Sequence, residues 1–372
     1  MISRVVVSVL LFGALSAQAS VSITPLSGFS PNGDGWLSPG EGGYGYLGTA
    51  SGERGLAYGN GHLYLVSHGN SGNSVRILNP LTGADLGALS TAGVSGGTFT
   101  INSIAVGGDG AIYVNNLTTQ ATTSPLKVYK WANESSIPAV VYSGNGGLPG
   151  GRVGDNLSAI GSGSGTLLAL GYGHTPAVTG NNGYAIVDPT AGTATAVHFT
   201  GTPPIAGDFR LSTTFTDSSH VLGSQGNGLY RETSFAGGEG VLLSSPVFPD
   251  PAGATADRLL EYTELAGQDI LAVQSTGDAH VSLYNAGDLA NPLWLASANN
   301  TSGTLVANAN GTGELAWGAI TANLDGTFSQ TLYALSANQG IQAFVVTVPE
   351  PGAVAFSGVI LGCFLFARRF RK

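Results

Sequence analysis

The sequence predicts an all-β chain: a β-propeller of six or seven four-stranded blades. Three observations carry that expectation. Short Val/Ile/Leu/Tyr runs alternate with clusters of Gly, Ser, Thr and Asn, the pattern of many strands joined by tight turns. One phrase recurs along the 372 residues: strand, turn, apolar strand, loop, third strand. Its spacing of roughly 50 residues matches a propeller blade.

The phrases begin at Gly55, Ile101, Leu157, Phe209, Leu259 and Leu315, at intervals of 46, 56, 52, 50 and 56 residues. Asn60-Gly61 and Asp109-Gly110 separate first and second strands, as hairpin dipeptides that tolerate positive φ. Second strands are expected at Leu63 to Val66 and Ile112 to Val114, which are short and apolar or aromatic. "NPLTG" at Asn79 to Gly83 and "DPTAG" at Asp188 to Gly192 read as turns into the outer strands "ADLGALS" and "TATAVHF". The sixth unit shows only three strands. Its fourth is expected from "YGYLGTA", Tyr44 to Ala50, which would pin the ends of the ring together. A β-helix would need much shorter periods, and a pair of β-sandwiches is the remaining alternative.

Composition sets the class of partner. Gly contributes 58 residues, charged residues only 9% and apolar residues 42%, enough for a sizeable core and unlike a long disordered chain. The net charge is −9. Setting aside Arg4, Glu350 and the four basic residues at the C-terminus leaves eight basic against 21 acidic residues, near −13. Such a body repels phosphate backbones, so no nucleic acid partner is expected. A cation or a neutral glycan is easier to accommodate. The single cysteine, Cys363, leaves the body without a disulfide framework or a Cys-based metal site.

Both ends have the layout of addresses. At the start, Arg4 precedes the apolar run Val5 to Leu15, and Ala17-Gln18-Ala19 gives an A-x-A cleavage site. This is a secretory signal peptide with its signal helix, residues 1–20, which signal peptidase would remove. Residues 21–54 are then an N-terminal loop with the ring-closing strand, and 55–347 the propeller body. Residues 348–372 hold a Pro-Glu-Pro break, the fifteen mostly apolar residues Ala353 to Ala367, and a basic end. As a helix that run spans about 22 Å against a hydrocarbon core of roughly 30 Å, a marginal transmembrane helix whose basic tail stays cytoplasmic. Pro349 and Pro351 stop the helix from extending backwards and are expected to leave an extended, accessible stretch.

Val348-Pro349-Glu350-Pro351, the apolar run, and Arg368-Arg369-Phe370-Arg371-Lys372 together resemble a PEP-CTERM sorting signal. The resemblance covers about 25 residues and implies an exosortase substrate in a Gram-negative bacterium that makes exopolysaccharide. Such a protein is exported across the inner membrane, held there transiently, and released to the cell surface or extracellular matrix. Val348, Pro349, Glu350, Pro351, Arg368, Arg369, Arg371 and Lys372 match the motif. The phrases "ERGLAYGNGHLYLVS" and "TGADLGAL…GVSGGTF" also resemble an uncharacterised Gly-rich propeller-like domain found beside this signal, which implies a fold and no activity.

Chemistry-bearing motifs are sparse. "SPNGDGWLSPGE" places Ser30, Asn32, Asp34, Ser38 and Glu41 at EF-hand positions 1, 3, 5, 9 and 12, so calcium is the cation it would take. Position 1 lacks its carboxylate and Pro39-Gly40 precludes the exit helix, which points to weak binding or a plain turn-rich loop. His62, His68, His174, His198, His220 and His280 are dispersed without metal spacing, although His62 and His68 share a strand face. Gly161 to Gly165 matches a nucleophile elbow in composition only, because no helix follows. No phosphate-binding or dinucleotide fingerprint occurs. Trp36, Tyr44, Tyr46, Tyr172 and Trp294 are candidates to stack on sugars, with core packing as the plainer role. The leading expectation is an exported propeller that binds extracellular polysaccharide or serves structurally. The alternative is a secreted propeller lyase, lactonase or glycosidase, which would show converging carboxylates in its channel.

Overall fold

The computed structural model describes residues 20–69, 72–147, 151–173, 183–199, 209–224, 230–249 and 257–349. They form six sheets in a ring, antiparallel except where Glu239–Gly240 runs parallel to Thr193–Phe199. From the axis outwards, blade 1 is Glu53–Gly59, His62–Ser67, Ser74–Leu78 and Asp85–Ala88. Blade 2 is Phe99–Val106, Ile112–Leu117, Leu126–Trp131 and Ala139–Gly144. Blade 3 is Ser158–Ile160, Leu167–Gly173, Gly183–Asp188 and Thr193–Phe199, with Arg152–Val153 also paired to Leu167–Gly173. Blade 4 is Ser212–Phe215, His220–Ser224, Tyr230–Ser234 and Leu242–Ser244; blade 5 is Asp257–Leu265, Gln268–Ser275, Val281–Asn285 and Leu293–Ala298. Blade 6 takes Gly313–Ala322, Thr327–Ser336 and Gly340–Pro349 from the end of the chain and Ser22–Pro25 from its start. The blade number is six, and each repeat phrase opens at or beside an innermost strand.

Blade stacking explains the continuous apolar runs. Leu63, Tyr64, Leu65 and Val66 have no exposed surface, because neighbouring blades cover both faces of the sheet. Each apolar cluster spans one blade-to-blade interface. Ile104, Val114 and Trp131 meet Tyr64 and Val66 between blades 2 and 1, and Tyr333 and Ile341 meet Leu56 and Leu65 where blade 6 closes on blade 1. Turn chemistry holds as expected. Asn60 and Gly61 both take positive φ, 54° and 77°, and Asn79 Oδ1 accepts the amides of Leu81 and Thr82 ahead of Gly83, φ 66°. Gly55 is required by close approach, since a Cβ there would stand 2.8 Å from Ser103 Cα.

The ring-closing strand differs from expectation. Ser22–Pro25 pairs antiparallel with Gly340–Pro349, Ser22 opposite Thr347, while Tyr44 to Ala50 runs through turns. Tyr46 and Leu47 are needed as filler between blades 6 and 1, so their apolar surface is spent on the core instead of a sheet edge. Pro25 is tolerated because it ends an edge strand, where no ladder amide is needed. The body also extends past its expected limit. Val348 and Pro349 lie opposite Phe328 and Thr327 in blade 6, and Val348 is fully buried. The signal helix and the C-terminal helix fall on residues 1–19 and 350–372, outside the described residues. Among the described residues no helix is long and apolar enough to cross a membrane.

Candidate functional site

Two cavities lie along the ring axis, at different depths of the same inner strands. The waist is a narrow space of about 180 Å³ lined by mid-strand residues, among them Leu56, Ile104 and Leu157, with the carboxyl groups of Glu261 and Glu314. The mouth is wider, about 710 Å³, and collects residues from the starts of the inner strands: Arg54, Phe99, Arg152, Asp155, Arg210 and Thr312 among them.

At the waist the protein supplies its own partners. Glu314 Oε1 accepts the Ser103 hydroxyl at 2.8 Å and Oε2 accepts the Leu56 amide at 2.9 Å. One side chain of blade 6 thereby ties blades 1 and 2. The Glu261 backbone carbonyl accepts Trp317 Nε1–H of blade 6 at 3.2 Å. Both carboxyls keep some surface on the channel, yet protein surrounds them. Burial pushes Glu261 up to about 8, against the opposing influence of the nearby Thr214 hydroxyl. Burial, reinforced by the charge of Glu261, holds Glu314 well above the usual range despite its hydrogen bonds. Both shifts favour the neutral acid.

Similar clasps link other neighbouring blades. Asn102 Nδ2 donates to the Gly154 carbonyl at 2.7 Å. Asn156 Nδ2 donates to the Phe209 carbonyl at 2.6 Å. The Leu260 amide donates to Ser212 Oγ at 2.9 Å.

At the mouth one arginine is only partly answered. Arg152 holds Asp155 through Nε at 2.6 Å. Arg54 is 8% exposed and lies over the Phe99 ring, 4.6 Å from its centroid. Its Nε and the Thr312 hydroxyl have no hydrogen-bond partner among the described residues. Burial lowers the Arg54 pKa, Asp155 opposes that shift and the charge of Arg152 adds to it.

The other expected residues are dispersed. Ser30, Asn32, Asp34, Ser38 and Glu41 do share one loop, which folds on itself. Asp34 Oδ1 accepts the Ser30 hydroxyl at 3.0 Å and the Trp36 amide at 2.9 Å. Glu41 Oε1 accepts the Asn32 amide at 3.0 Å, and Oε2 accepts the Ser38 amide at 2.9 Å. Both carboxylates thus bind loop donors. Among the described residues no three His, Cys, Asp or Glu side chains cluster as a metal site. His62 and His68 both turn towards blade 2, His62 Nδ1 to Glu134 at 2.6 Å and His68 onto the Phe99 ring. His174 lies outside the described residues. Tyr46 and Tyr172 are core residues, contrary to a sugar-stacking role, and Trp36 Nε1 donates to the Gln339 carbonyl at 2.7 Å. Trp294 is 40% exposed on an outer strand. Glu350, Pro351, Arg368, Arg369, Arg371 and Lys372 lie outside the described residues.

Glu261, Glu314 and the three arginines were not singled out by motif. Repeat phase would have found them: Arg54 precedes Gly55, Arg210 follows Phe209, Glu261 lies two after Leu259, and Glu314 precedes Leu315. Aligned on their repeats, all sit on or beside innermost strands.

A family model described as "Domain of unknown function (DUF4623)" matches residues 50–178. Among solved structures, a DUF4623 family protein from Bacteroides eggerthii DSM 20697 aligns over 88% of this chain and 74% of its own, at 17% identity and TM-score 0.58. The Malassezia sympodialis allergen Mala s 1 aligns over 78% of this chain and 91% of its own, at 12% identity and TM-score 0.48. The first likeness bears on the fold alone. No curated protein matches the chain.

Proposed function

We propose that this is an exported protein whose propeller is a binding module for extracellular polysaccharide, delivered by signal peptidase and then released at the cell surface or into the matrix by an exosortase. The observation that carries the reading is that six complete blades close within residues 20–349. Residues 20–349 supply every strand of those six blades, so loss of what flanks them would leave the ring closed. Because Val348 and Pro349 belong to blade 6, cleavage on their C-terminal side leaves that sheet whole. Fractionation and intact-mass measurement of the native protein test this. The expected mature form starts near Ser20 or Val21, ends beyond Pro349 and lacks Arg368 to Lys372. Retention of that basic end in the surface fraction sinks the processing step. Calcium at the Ser30 to Glu41 loop would require Asp34 and Glu41 to release amides they now hold, so a calcium-dependent rise in melting temperature abolished by Glu41→Gln is the mark of binding there.

A second reading, a polysaccharide-cleaving enzyme, is favoured by the two raised-pKa carboxyls that share the channel. A neutral Glu261 beside another carboxyl is the pairing an acid–base glycosidase needs. The narrowness of the waist and the hydrogen bonds of Glu314 count against it. Glycan hydrolysis lost in Glu261→Gln, with folding retained, would establish the enzyme.

A further inference from the structure

We propose that one face of the ring, over blades 5, 6, 1 and 2, rests on a bilayer of zwitterionic phospholipid while the chain is held at the membrane. This rests on the export reading above and names the surface that the exported ring turns to lipid.

Strand order fixes which turns share a face. In an antiparallel blade the turn after the first strand and the turn after the third lie together, as Asn60-Gly61 and Asn79 to Ala84 do in blade 1. All such turns of the six blades lie among the described residues. The described chain also leaves blade 6 on this face at both ends. Pro349 pairs with Thr327 beside the turn Asn323 to Gly326, and Ser22 lies opposite Thr347 on the same strand. In sequence, the apolar runs Val5 to Leu15 and Ala353 to Ala367 come within five residues of Ser20 and Pro349.

The same turns hold large apolar side chains out to solvent. Leu324 of blade 6 is fully exposed, while Leu81 of blade 1, Ile137 of blade 2 and Leu293 at the end of the blade 5 turn are 62%, 70% and 67% exposed. Trp294 follows Leu293, an aromatic side chain of the kind that settles at head-group level. Single exposed apolar residues are ordinary. Here one stands on each of four consecutive blades, flanking the corner from which both ends leave. The corresponding turns of blade 3, Gly161 to Thr166 and Pro189 to Gly192, have none. Charge selects the lipid. The turns of this face contain no Lys or Arg and several acidic residues, Asp288 and Asp325 among them. An anionic bilayer repels such a face, whereas the ammonium groups of zwitterionic head groups complement it.

The test is fluorescence of the full chain reconstituted in phosphatidylcholine vesicles that carry a head-group nitroxide quencher. In a Cys363→Ser background, a dye is attached through Leu324→Cys or Ile137→Cys, or through Ala92→Cys on an exposed loop of the opposite face as control. Quenching at 324 and 137 is expected to exceed that at 92 by about twofold or more. Leu81→Glu combined with Leu293→Glu, both at exposed positions, should remove the excess at 324 while the chain still floats with the vesicles. Equal quenching at 324 and 92 in floating chain would overturn the docking face and leave the membrane-held reading intact. Failure of the chain to float would sink that reading as well. A dye at 324 shielded without vesicles would assign the face to a second copy and overturn the lipid. Stronger quenching on phosphatidylglycerol vesicles would overturn the zwitterionic assignment.

Discussion

The waist and the mouth of the channel lie on one axis and are built from the same inner strands, yet they treat charge in opposite ways. At the waist Glu314 accepts Ser103 and Leu56, and the Glu261 backbone carbonyl accepts Trp317 Nε1–H. The donors come from other blades, so these two residues serve as pins through the ring. At the mouth Arg54 Nε has no partner among the described residues, and the side chain shares the cavity lining with Arg152 and Arg210. A buried polar group answered from within contributes to the fold; one left unanswered costs stability and is retained where an external partner answers it. Burial alone does not separate the two regions. The source of the hydrogen-bond partner does.

The largest expected effect breaks a pin. Glu314→Ala leaves the Ser103 hydroxyl and Leu56 amide unanswered beside a new void, at a cost of about 3 kcal/mol. Urea unfolding should show it as a lower midpoint. Glu314→Gln keeps one acceptor and gains a donor, so it should cost less than about 1 kcal/mol if the native side chain is the neutral acid. Comparable losses in both variants would mean that Glu314 works as an ion, and the contrast between waist and mouth would fail.

Next in size is a pH slope. Glu261 is raised to about 8 in the folded ring against a value near 4.3 in an unfolded chain. Between those values the folded state binds more protons, so stability is present at the acid end and falls as pH rises. The slope is up to about 1.4 kcal/mol per pH unit for one such group, and Glu314 adds to it in the same direction. Urea midpoints should therefore fall between pH 5 and 8, and Glu261→Gln should flatten the curve. A midpoint that rises over that window would place both carboxylates in their ionised form.

These effects bear on what the sequence could convey. The repeat spacing gave the fold because every blade restates the same periodicity, and turn dipeptides such as Asn60-Gly61 have local causes. The closing strand was misassigned because "YGYLGTA" satisfies apolar alternation as well as "SITP" does. Only the three-dimensional need for Tyr46 and Leu47 in the interface between blades 6 and 1 decides between them. Val348 and Pro349 read as part of a terminal address, and no local signal shows that blade 6 needs them as strand residues. The mouth was hidden for another reason. Arg54, Arg152 and Arg210 stand 98 and 58 residues apart in succession, and ring closure alone brings them together. Superposing the repeats would have revealed them; searching for contiguous motifs could not.

The smallest stability effect gives the sharpest test of the comparison. Arg54→Met keeps an unbranched side chain against the Phe99 ring and removes a buried charge whose Nε has no partner. If the mouth is organised for a ligand, the ring does not need this charge for its own stability. Replacing an incompletely compensated buried ion with an apolar side chain is often neutral or stabilising. The urea midpoint of Arg54→Met should therefore stay level or rise by the equivalent of about 1 kcal/mol. The same comparison at the waist runs the other way, because Glu314→Ala loses stability through its own lost contacts. If Arg54→Met proved as destabilising as Glu314→Ala, the arginine would be another pin, and both ends of the channel would be structural.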